Sequence, residues 1–331
     1  MKTRKLGTQG LEVSTIGLGC MGMSEFYGHS NEADSLSALA VAIEQGVSLW
    51  DTSDIYGPKT NEELLGKFFK QNPTQRDKVV LATKFGIMRD AQGDFMGING
   101  SPEYIRKACD ASLKRLGVEQ IDLYYQHRMD PNVPIEETVG AMGELVKAGK
   151  VAYLGLSEAG SDTLIRANKE FPISVLQSEY SLWSRQLEAK ILPTCKSLGI
   201  GLVAYSPLGR GFLTGAIKSR ADLDKDDWRL NNPRFSKENF EQNLTLVNHI
   251  KELAITKNCT PAQLALAWIT HQDESYVSIP GTRSTQRLKE NALAANIILT
   301  TEDLARVSDM LLSQEIHGSR YPEQMMAALE N

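Results

Sequence analysis

Four side chains that can hold or move a proton occur along the first part of the chain. They are Asp51 and Tyr56 in LWDTSDIYG, Lys84 in VVLATK and His127 in IDLYYQH. A tyrosine with a pKa of about 10 is a poor acid at neutral pH. A lysine ammonium beside it would favour the phenolate and lower that pKa, and an aspartate would hold the ammonium in place. His127 could then orient a carbonyl group or donate to its oxygen, so the set predicts proton donation to a carbonyl.

Each of these residues also has an ordinary structural interpretation. Asp51 could cap a strand end, Tyr56 could be a turn aromatic, and His127 could be a satisfied core residue. Lys84 is the most informative of the four, because a lysine that ends an apolar strand must find a partner or shift its pKa.

The elements that would position these side chains are buried strands alternating with helices. The strand candidates are STIGLG, VSLWDTS, KVVLATK, IDLYYQH, VAYLGLS, SVLQSEY, GLVAYSP and YVSIPG. Several are near-continuous apolar runs, which is typical of parallel strands buried on both faces. Helices with clear N-terminal signals lie between them and begin after Asn31, Ser101, Pro134 and Thr260.

This alternation predicts an α/β fold, a (β/α)₈ TIM barrel with an N-terminal β-hairpin and an extra C-terminal helix. We expect a single domain over 1–331, although the length alone would allow two. The hairpin would cover about 2–16, a long loop after the seventh strand about 208–237, and the C-terminal helix and tail about 300–331. The carboxyl ends of barrel strands meet at one mouth, which would bring the four side chains together.

Composition narrows the classes of partner. The net charge of −5 and the 41% hydrophobic content give no general reason to expect nucleic acid or a membrane. The N-terminus has no signal-peptide pattern and no run approaches a membrane span, so a cytoplasmic location is predicted. Cys20, Cys109, Cys195 and Cys259 show no CxxC spacing and are predicted to be reduced. No metal site is predicted, and the oligomeric state is left open.

A glycine motif near the N-terminus needs a separate interpretation. Gly17, Gly19 and Gly22 in GLGCMG match the dinucleotide-binding pattern GxGxxG. A Rossmann motif must open directly into a helix, whereas MSEFYGHSN follows here. The motif is therefore not expected to bind a dinucleotide.

The motifs DTSDIYG, LATKFG and YYQHRMD resemble the signatures of the aldo-keto reductase family. The similarity continues from LGTQGLEVSTIGLGCMGMSEFYG to IPGTRSTQRLKENALA and includes AYSPLGRGFLTG. The resemblance implies a barrel that binds NADP(H) without a Rossmann domain. It implies Tyr56 as proton donor, Lys84 and Asp51 as its tuners, and His127 as the residue that orients the substrate. Ser53, in DTS, stands where the family more often has alanine.

The resemblance also implies contacts to the nicotinamide and the pyrophosphate. Ser157 and Gln177 would bind the nicotinamide amide, and Tyr205 would stack on its ring. Glu158 replaces the usual asparagine beside Ser157 and cannot copy its donor role. The turn after Tyr205 would offer close backbone approach to the pyrophosphate, through Ser206, Pro207, Leu208, Gly209, Arg210 and Gly211.

The end that binds adenosine would follow the eighth strand. Gly281, Thr282 and Arg283 lead into a helix that carries Arg287, Glu290 and Asn291 on one face. A helix N-terminus suits an anion, and arginine suits a planar phosphate. We therefore expect Arg283 and Arg287 at a 2′-phosphate, with Glu290 and Asn291 at the adenine. The alternative is a solvated charged face.

The predicted activity is NADPH-dependent reduction of an aldehyde or ketone. Two alternatives stay open: an aldolase-type barrel that forms a Schiff base on Lys84, and an NADPH-binding redox-sensing subunit with little turnover. The sequence does not disclose the substrate. Candidate pocket residues are Phe26, Tyr27, Met88, Trp183 and those of the loop of about 208–237.

Overall fold

A computed structural model describes residues 1–25, 30–90, 92–225, 227–312, 314–326 and 328–330. Phe26 and Tyr27, two of the predicted pocket residues, lie outside these ranges. The chain begins with the expected hairpin, in which β1 (Thr3–Leu6) pairs antiparallel with β2 (Leu11–Ser14).

Eight parallel strands then form the sheet in the order of the chain, interrupted by one antiparallel hairpin, β6 (Ile87–Arg89) and β7 (Phe95–Ile98). The eight are β3 (Leu18–Gly19), β4 (Leu49–Asp51), β5 (Val80–Phe85), β8 (Ile121–Gln126), β9 (Val151–Ser157), β10 (Val175–Glu179), β11 (Gly201–Tyr205) and β12 (Tyr276–Ser278). Parallel bridges from Ile16 to Ser278 and from Gly19 to Gly281 join the first strand to the last. The predicted (β/α)₈ barrel is confirmed.

Helices follow the strands and surround them. They are α1 (Glu32–Glu44), α2 (Thr60–Gln71), α3 (Pro102–Leu116), α4 (Ile135–Lys147), α5 (Ser161–Glu170), α6 (Ile191–Leu198), α7 (Lys237–Thr256), α8 (Pro261–Thr270), α9 (Thr285–Leu293), α10 (Thr301–Leu312) and α11 (Glu323–Met326). Asn31, Ser101 and Thr260 cap α1, α3 and α8 with side-chain oxygens, as their positions in the sequence predict.

The apolar core has two parts. One lies between the strands and the surrounding helices, and it includes Trp50, which packs against Phe68 and Phe69 of α2. The other fills the barrel interior with side chains of alternating strand positions and includes Leu6, Leu11 and Val13 of the hairpin. The hairpin therefore closes the bottom of the barrel, and the opposite end is left for the site.

The glycine motif serves strand packing. A Cβ atom on Gly17 would lie 2.9 Å from both Ile279 and the Leu49 carbonyl oxygen, and one on Gly19 would lie 2.8 Å from the Ile279 carbonyl oxygen. Both positions are inside the closure of the barrel, where a side chain has no room.

The long segment after β11 consists mostly of short 3₁₀ turns, namely Gly209–Thr214, Arg220–Asp222, Trp228–Asn231 and Pro233–Phe235. It ends where α7 begins. No pattern in the sequence predicted the β6–β7 hairpin. The first two residues of β7, Phe95 and Met96, are exposed.

Candidate active site

Asp51, Lys84 and Tyr56 form one buried hydrogen-bonded group at the carboxyl ends of β4 and β5. The Lys84 ammonium donates to Oδ1 of Asp51, to the Thr52 carbonyl oxygen at 2.8 Å and to the Tyr56 hydroxyl at 3.3 Å. The other Asp51 oxygen accepts from Nε2 of Gln177 at 2.7 Å. Lys84 is wholly inaccessible to solvent, whereas Tyr56 keeps 9% of its surface. The phenol is therefore the member of the group that a ligand in the mouth can reach.

The charges in this group keep Lys84 protonated. Burial acts to lower the pKa of the Lys84 ammonium, but Asp51 and Tyr56 outweigh it and raise that pKa above its ordinary value. Both oxygens of Asp51 accept hydrogen bonds, which suits an ionised carboxylate.

The expected lowering of the Tyr56 pKa is wrong for the free protein. Burial raises the pKa of Tyr56 above its ordinary value, and the Lys84 ammonium offsets only part of that rise. The reason is that removing the phenolate from water costs more free energy than the attraction of one neighbouring positive charge recovers. Tyr56 is thus a protonated phenol at neutral pH, and Lys84 stabilises the phenolate that proton donation would leave.

His127 lies beside this group, immediately after β8. Its ring stands edge-on to Tyr56, with ring centroids 5.9 Å apart, and its Nδ1 lies 3.2 Å from the Ser53 hydroxyl. Burial lowers the pKa of His127 well below its ordinary value, and the cations Arg128, Lys84 and Arg89 lower it further. The imidazole is therefore neutral. Its Nε2 makes no hydrogen bond with any residue in the described ranges and is open to a ligand.

Arg128 is a site residue that sequence reasoning missed. One of its terminal nitrogens, Nη1, donates to the His127 carbonyl oxygen at 2.6 Å and to the Ser157 hydroxyl at 3.2 Å. The other, Nη2, makes no hydrogen bond with any residue that the structure describes. Burial acts to lower the pKa of Arg128, but Tyr205, Tyr321 and Glu158 raise it overall. The signal was available, since Arg128 follows His127 directly in YYQHRMD.

Glu158 has a structural role in the ligand-free protein. It is buried, has the left-handed backbone angle φ 59°, and its side chain accepts from the Glu179 backbone N–H at 2.9 Å and from Arg320 at 2.7 Å. Although burial alone would raise its pKa, Arg320 and Arg128 hold the pKa of Glu158 below its ordinary value. Each carboxylate oxygen of Glu158 thus accepts a hydrogen bond from a protein group. This agrees with the expectation that Glu158 does not take over the role of the family's asparagine.

A cluster of buried charges lies next to Glu158. Glu179 accepts from Arg210 at 3.2 Å and from Arg234 at 3.3 Å. The Arg210 guanidinium lies over the rings of Trp228 and Tyr321, with centroids 5.0 and 4.6 Å away. The Arg210 side chain therefore holds the long segment against the barrel. The predicted pyrophosphate contact concerns the backbone of Arg210.

The predicted pyrophosphate turn has an unusual backbone. Ser206, Gly209, Arg210 and Gly211 all have positive φ angles, of 47°, 56°, 58° and 91°. A Cβ on Gly209 would lie 2.6 Å from the Trp183 ring, which is buried against Phe212. Trp183 thus packs against the turn and does not line an open pocket. Pro207 is buried, and Leu208 is half-buried.

Tyr205 ends β11 and reaches towards the C-terminal segment. Its hydroxyl lies 2.9 Å from that of Tyr321, and its side chain is half-buried. The last part of the chain therefore borders the mouth beside the end of β11. No local pattern in the sequence marked Tyr321 or Arg320 as neighbours of the site.

The predicted adenosine end lies at the start of α9. Ser284 caps the helix by accepting from the Arg287 backbone N–H, and the Arg287 side chain is exposed. Arg283 is half-buried and donates to the Gly22 carbonyl oxygen at 3.1 Å. Glu290 accepts from the Thr260 hydroxyl at 2.6 Å, so it ties α9 to α8. The remaining predicted residues are half-buried Thr282, buried Asn291 and exposed Gly281.

The described residues contain no cluster of His, Cys, Asp and Glu side chains able to hold a metal ion. Within the same ranges, every helix is too short or too polar to cross a membrane. Cys20, Cys109, Cys195 and Cys259 are all unpaired, and the first three are buried.

Comparison with known proteins assigns the chain to a family. The model of the aldo/keto reductase family matches residues 15–311, so the chain belongs to that family. Its members are oxidoreductases that use nicotinamide cofactors and act on small-molecule carbonyl compounds.

Solved structures give the same class. A glycerol dehydrogenase from Gluconobacter oxydans is 27% identical, with a TM-score of 0.86 over 96% of this chain and 97% of that one. A thermostable aldo-keto reductase in complex with the inhibitor epalrestat is also 27% identical, with a TM-score of 0.76 over 94% of this chain and 100% of that one.

Proposed function

We propose that the protein reduces aldehydes or ketones to alcohols with NADPH, and that Tyr56 is the proton donor. The observation that carries this proposal is the Lys84 ammonium 3.3 Å from the Tyr56 hydroxyl and bonded to Asp51. Burial keeps the phenol neutral at the mouth, and the Lys84 ammonium stabilises its conjugate base inside the protein. Neutral His127 lies beside it with Nε2 open, in a position to orient the carbonyl oxygen.

The residues around the mouth fit a nicotinamide cofactor, which would supply the hydride when bound. A carboxamide needs both donors and acceptors. Among the described residues, Nη2 of Arg128 has no hydrogen-bond partner, and the Ser157 hydroxyl lies beside the guanidinium. Half-buried Tyr205 offers a ring face, and Gln177 lies next to them, fixed by its bond to Asp51.

The start of α9 fits the anionic end of such a cofactor. Its capped N-terminus, exposed Arg287 and neighbouring Arg283 together favour a phosphate group. Within the part of the chain that the structure describes, a Cβ on Gly281 would meet only the Gly19 carbonyl oxygen, 3.3 Å away, which leaves an open approach to the helix. These features support NADPH over NADH.

Lys84 itself argues against the aldolase alternative. A Schiff-base lysine must lose its proton to attack a carbonyl. The raised pKa of Lys84 and its bonds to Asp51 and the Thr52 carbonyl oxygen keep it charged and occupied.

The direct test is NADPH oxidation by the purified protein with aromatic, aliphatic and dicarbonyl substrates. We expect turnover with at least one class and alcohol as the product. Tight NADPH binding without turnover of any substrate would favour the redox-sensing alternative. Borohydride trapping of a carbonyl compound on Lys84 would favour the aldolase.

A further inference from the structure

The Ser53 hydroxyl lies between His127 and a buried acid. Its oxygen is 3.2 Å from Nδ1 of His127 and 3.3 Å from Oδ1 of Asp54. Two longer contacts, each of 3.5 Å, join it to the Lys84 carbonyl oxygen and the Ile55 backbone N–H. Ser53 is wholly buried. The alanine found more often at this position would make none of these side-chain contacts.

The single proton of the hydroxyl decides the tautomer of His127. If Ser53 donates to Nδ1, the imidazole proton is on Nε2, and Nε2 can donate to a carbonyl oxygen. If Ser53 instead donates to Asp54 or to the more distant Lys84 carbonyl oxygen, Nδ1 can carry the proton and donate to Ser53, and Nε2 becomes an acceptor. Only the first arrangement helps a carbonyl accept a hydride, because the oxygen gains negative charge in that reaction.

We propose that Ser53 is a positioning residue for carbonyl reduction: its hydroxyl donates to Nδ1 of His127 and so keeps the N–H on Nε2, and Asp54 sets the direction of that hydroxyl. The proposal rests on the function proposed above. A protonated Asp54 donates towards Ser53, Ser53 donates to His127, and His127 donates to the substrate. An ionised Asp54 reverses the first two hydrogen bonds.

The surroundings of Asp54 favour its protonated form at neutral pH. Burial, aided by the Glu62 carboxylate, raises the pKa of Asp54 to about 8, although Arg115, a hydrogen bond from Ser53 and Lys84 each act to lower it. Two further ionisable side chains interact electrostatically with Asp54, namely Tyr104 of α3 and Tyr124 of β8. The donor direction should therefore hold at pH 7 and reverse as the pH rises past about 8.

The first test is Ser53→Ala, with the buried hydroxyl of α1 removed by Ser35→Ala as the control. We expect kcat of Ser53→Ala to fall roughly 3-fold to 10-fold, the effect of one hydrogen bond. Affinity for NADPH should be retained, and Ser35→Ala should match the wild type. In ligand-free protein, nitrogen-15 NMR should show the Nε2–H tautomer of His127 in the wild type at neutral pH and a shift towards Nδ1–H above about pH 8 that Ser53→Ala lacks.

The second test is the pH profile of Asp54→Asn, whose amide can donate to Ser53 at any pH. Wild-type kcat should decline above about pH 8. The profile of the variant, normalised to its own value at neutral pH, should lack that decline.

A His127 tautomer that responds to pH in the same way in the wild type and in Ser53→Ala, or identical pH profiles of kcat with and without Asp54, would overturn the proposal. Because NMR measures the tautomer in the absence of substrate, this test is independent of the proposed function. A wild type that reduces no carbonyl yet shows the Nε2–H form would contradict only the function.

Discussion

Arg320 donates across 2.7 Å to Glu158, which joins the last part of the chain to the end of β9 at the mouth. Both side chains are buried, and Arg320 also lies 3.8 Å from Glu179. A further tie comes from Glu330, whose side chain accepts from the Gly160 backbone N–H at 2.8 Å. The C-terminal segment is therefore part of the wall of the site.

Removal of this tie should destabilise the protein. Arg320→Ala leaves the Glu158 carboxylate buried without its cation, a change that costs about 3–5 kcal/mol in comparable pairs. Chemical denaturation measures the free energy of unfolding. The control is Arg166→Ala, which breaks an exposed pair with Glu136 and should change stability far less. Equal effects of the two variants would show that the buried pair is not a stabilising tie.

Acid should weaken the same contact. The pKa of Glu158 is lower in the folded protein than its ordinary value of 4.5. Its contribution to stability is therefore full above pH 4.5 and is lost as the pH falls towards the folded value. Glu158→Gln should be less stable than the wild type at neutral pH, and the difference should shrink on acidification. A difference that stays constant across this pH range would contradict the assignment.

Tyr56→Phe should retain the fold and NADPH binding but lose carbonyl reduction by roughly 10²–10⁴-fold, the usual contribution of a general acid. The phenol hydroxyl accepts from Lys84 and is the accessible donor of the group. Steady-state kinetics with cofactor titration measure both properties. The tyrosine of β9, Tyr153, provides a control as Tyr153→Phe, which should act like the wild type. Activity of Tyr56→Phe within a few-fold of the wild type would remove it as proton donor.

Lys84→Met should reduce kcat by on the order of 10²-fold or more, because the phenolate loses the charge that stabilises it. The variant also leaves Asp51 buried without its cation. Unfolding must therefore be measured beside activity, and Lys84→Met with Asp51→Asn removes both charges together. A folded double variant with full activity would show that the ammonium does not assist Tyr56.

Arg287→Ala, alone or with Arg283→Ala, should weaken NADPH binding far more than NADH binding. The two cofactors differ only in the 2′-phosphate, and a charge-assisted hydrogen bond to it contributes roughly 1.5–3 kcal/mol. That corresponds to about 10-fold to 100-fold in Kd. Fluorescence titration with both cofactors measures the difference. Lys289→Ala, which removes an exposed cation from the same helix, is the control. Equal losses for NADPH and NADH would mean that these arginines do not recognise the phosphate.

The sequence determined the barrel and the main group of the site. Buried parallel strands carry near-continuous apolar runs, and Asn31, Ser101 and Thr260 signal their helices locally. Asp51, Lys84 and His127 could be placed because each comes at or next to the carboxyl end of a strand. In a barrel these ends meet by construction.

Only the tertiary structure decided how those residues are surrounded. Whether Lys84 lowers the Tyr56 pKa below its ordinary value depends on how deeply both are buried, which no spacing encodes. Arg320 reaches Glu158 from 162 positions away along the chain. Ser53 differs from the family's more common alanine by a single oxygen atom. The function proposed for that oxygen depends on the His127 ring, which the fold places beside it. Local patterns report periodicity and backbone preference, whereas desolvation and long-range pairing arise only when the closed barrel brings distant segments together.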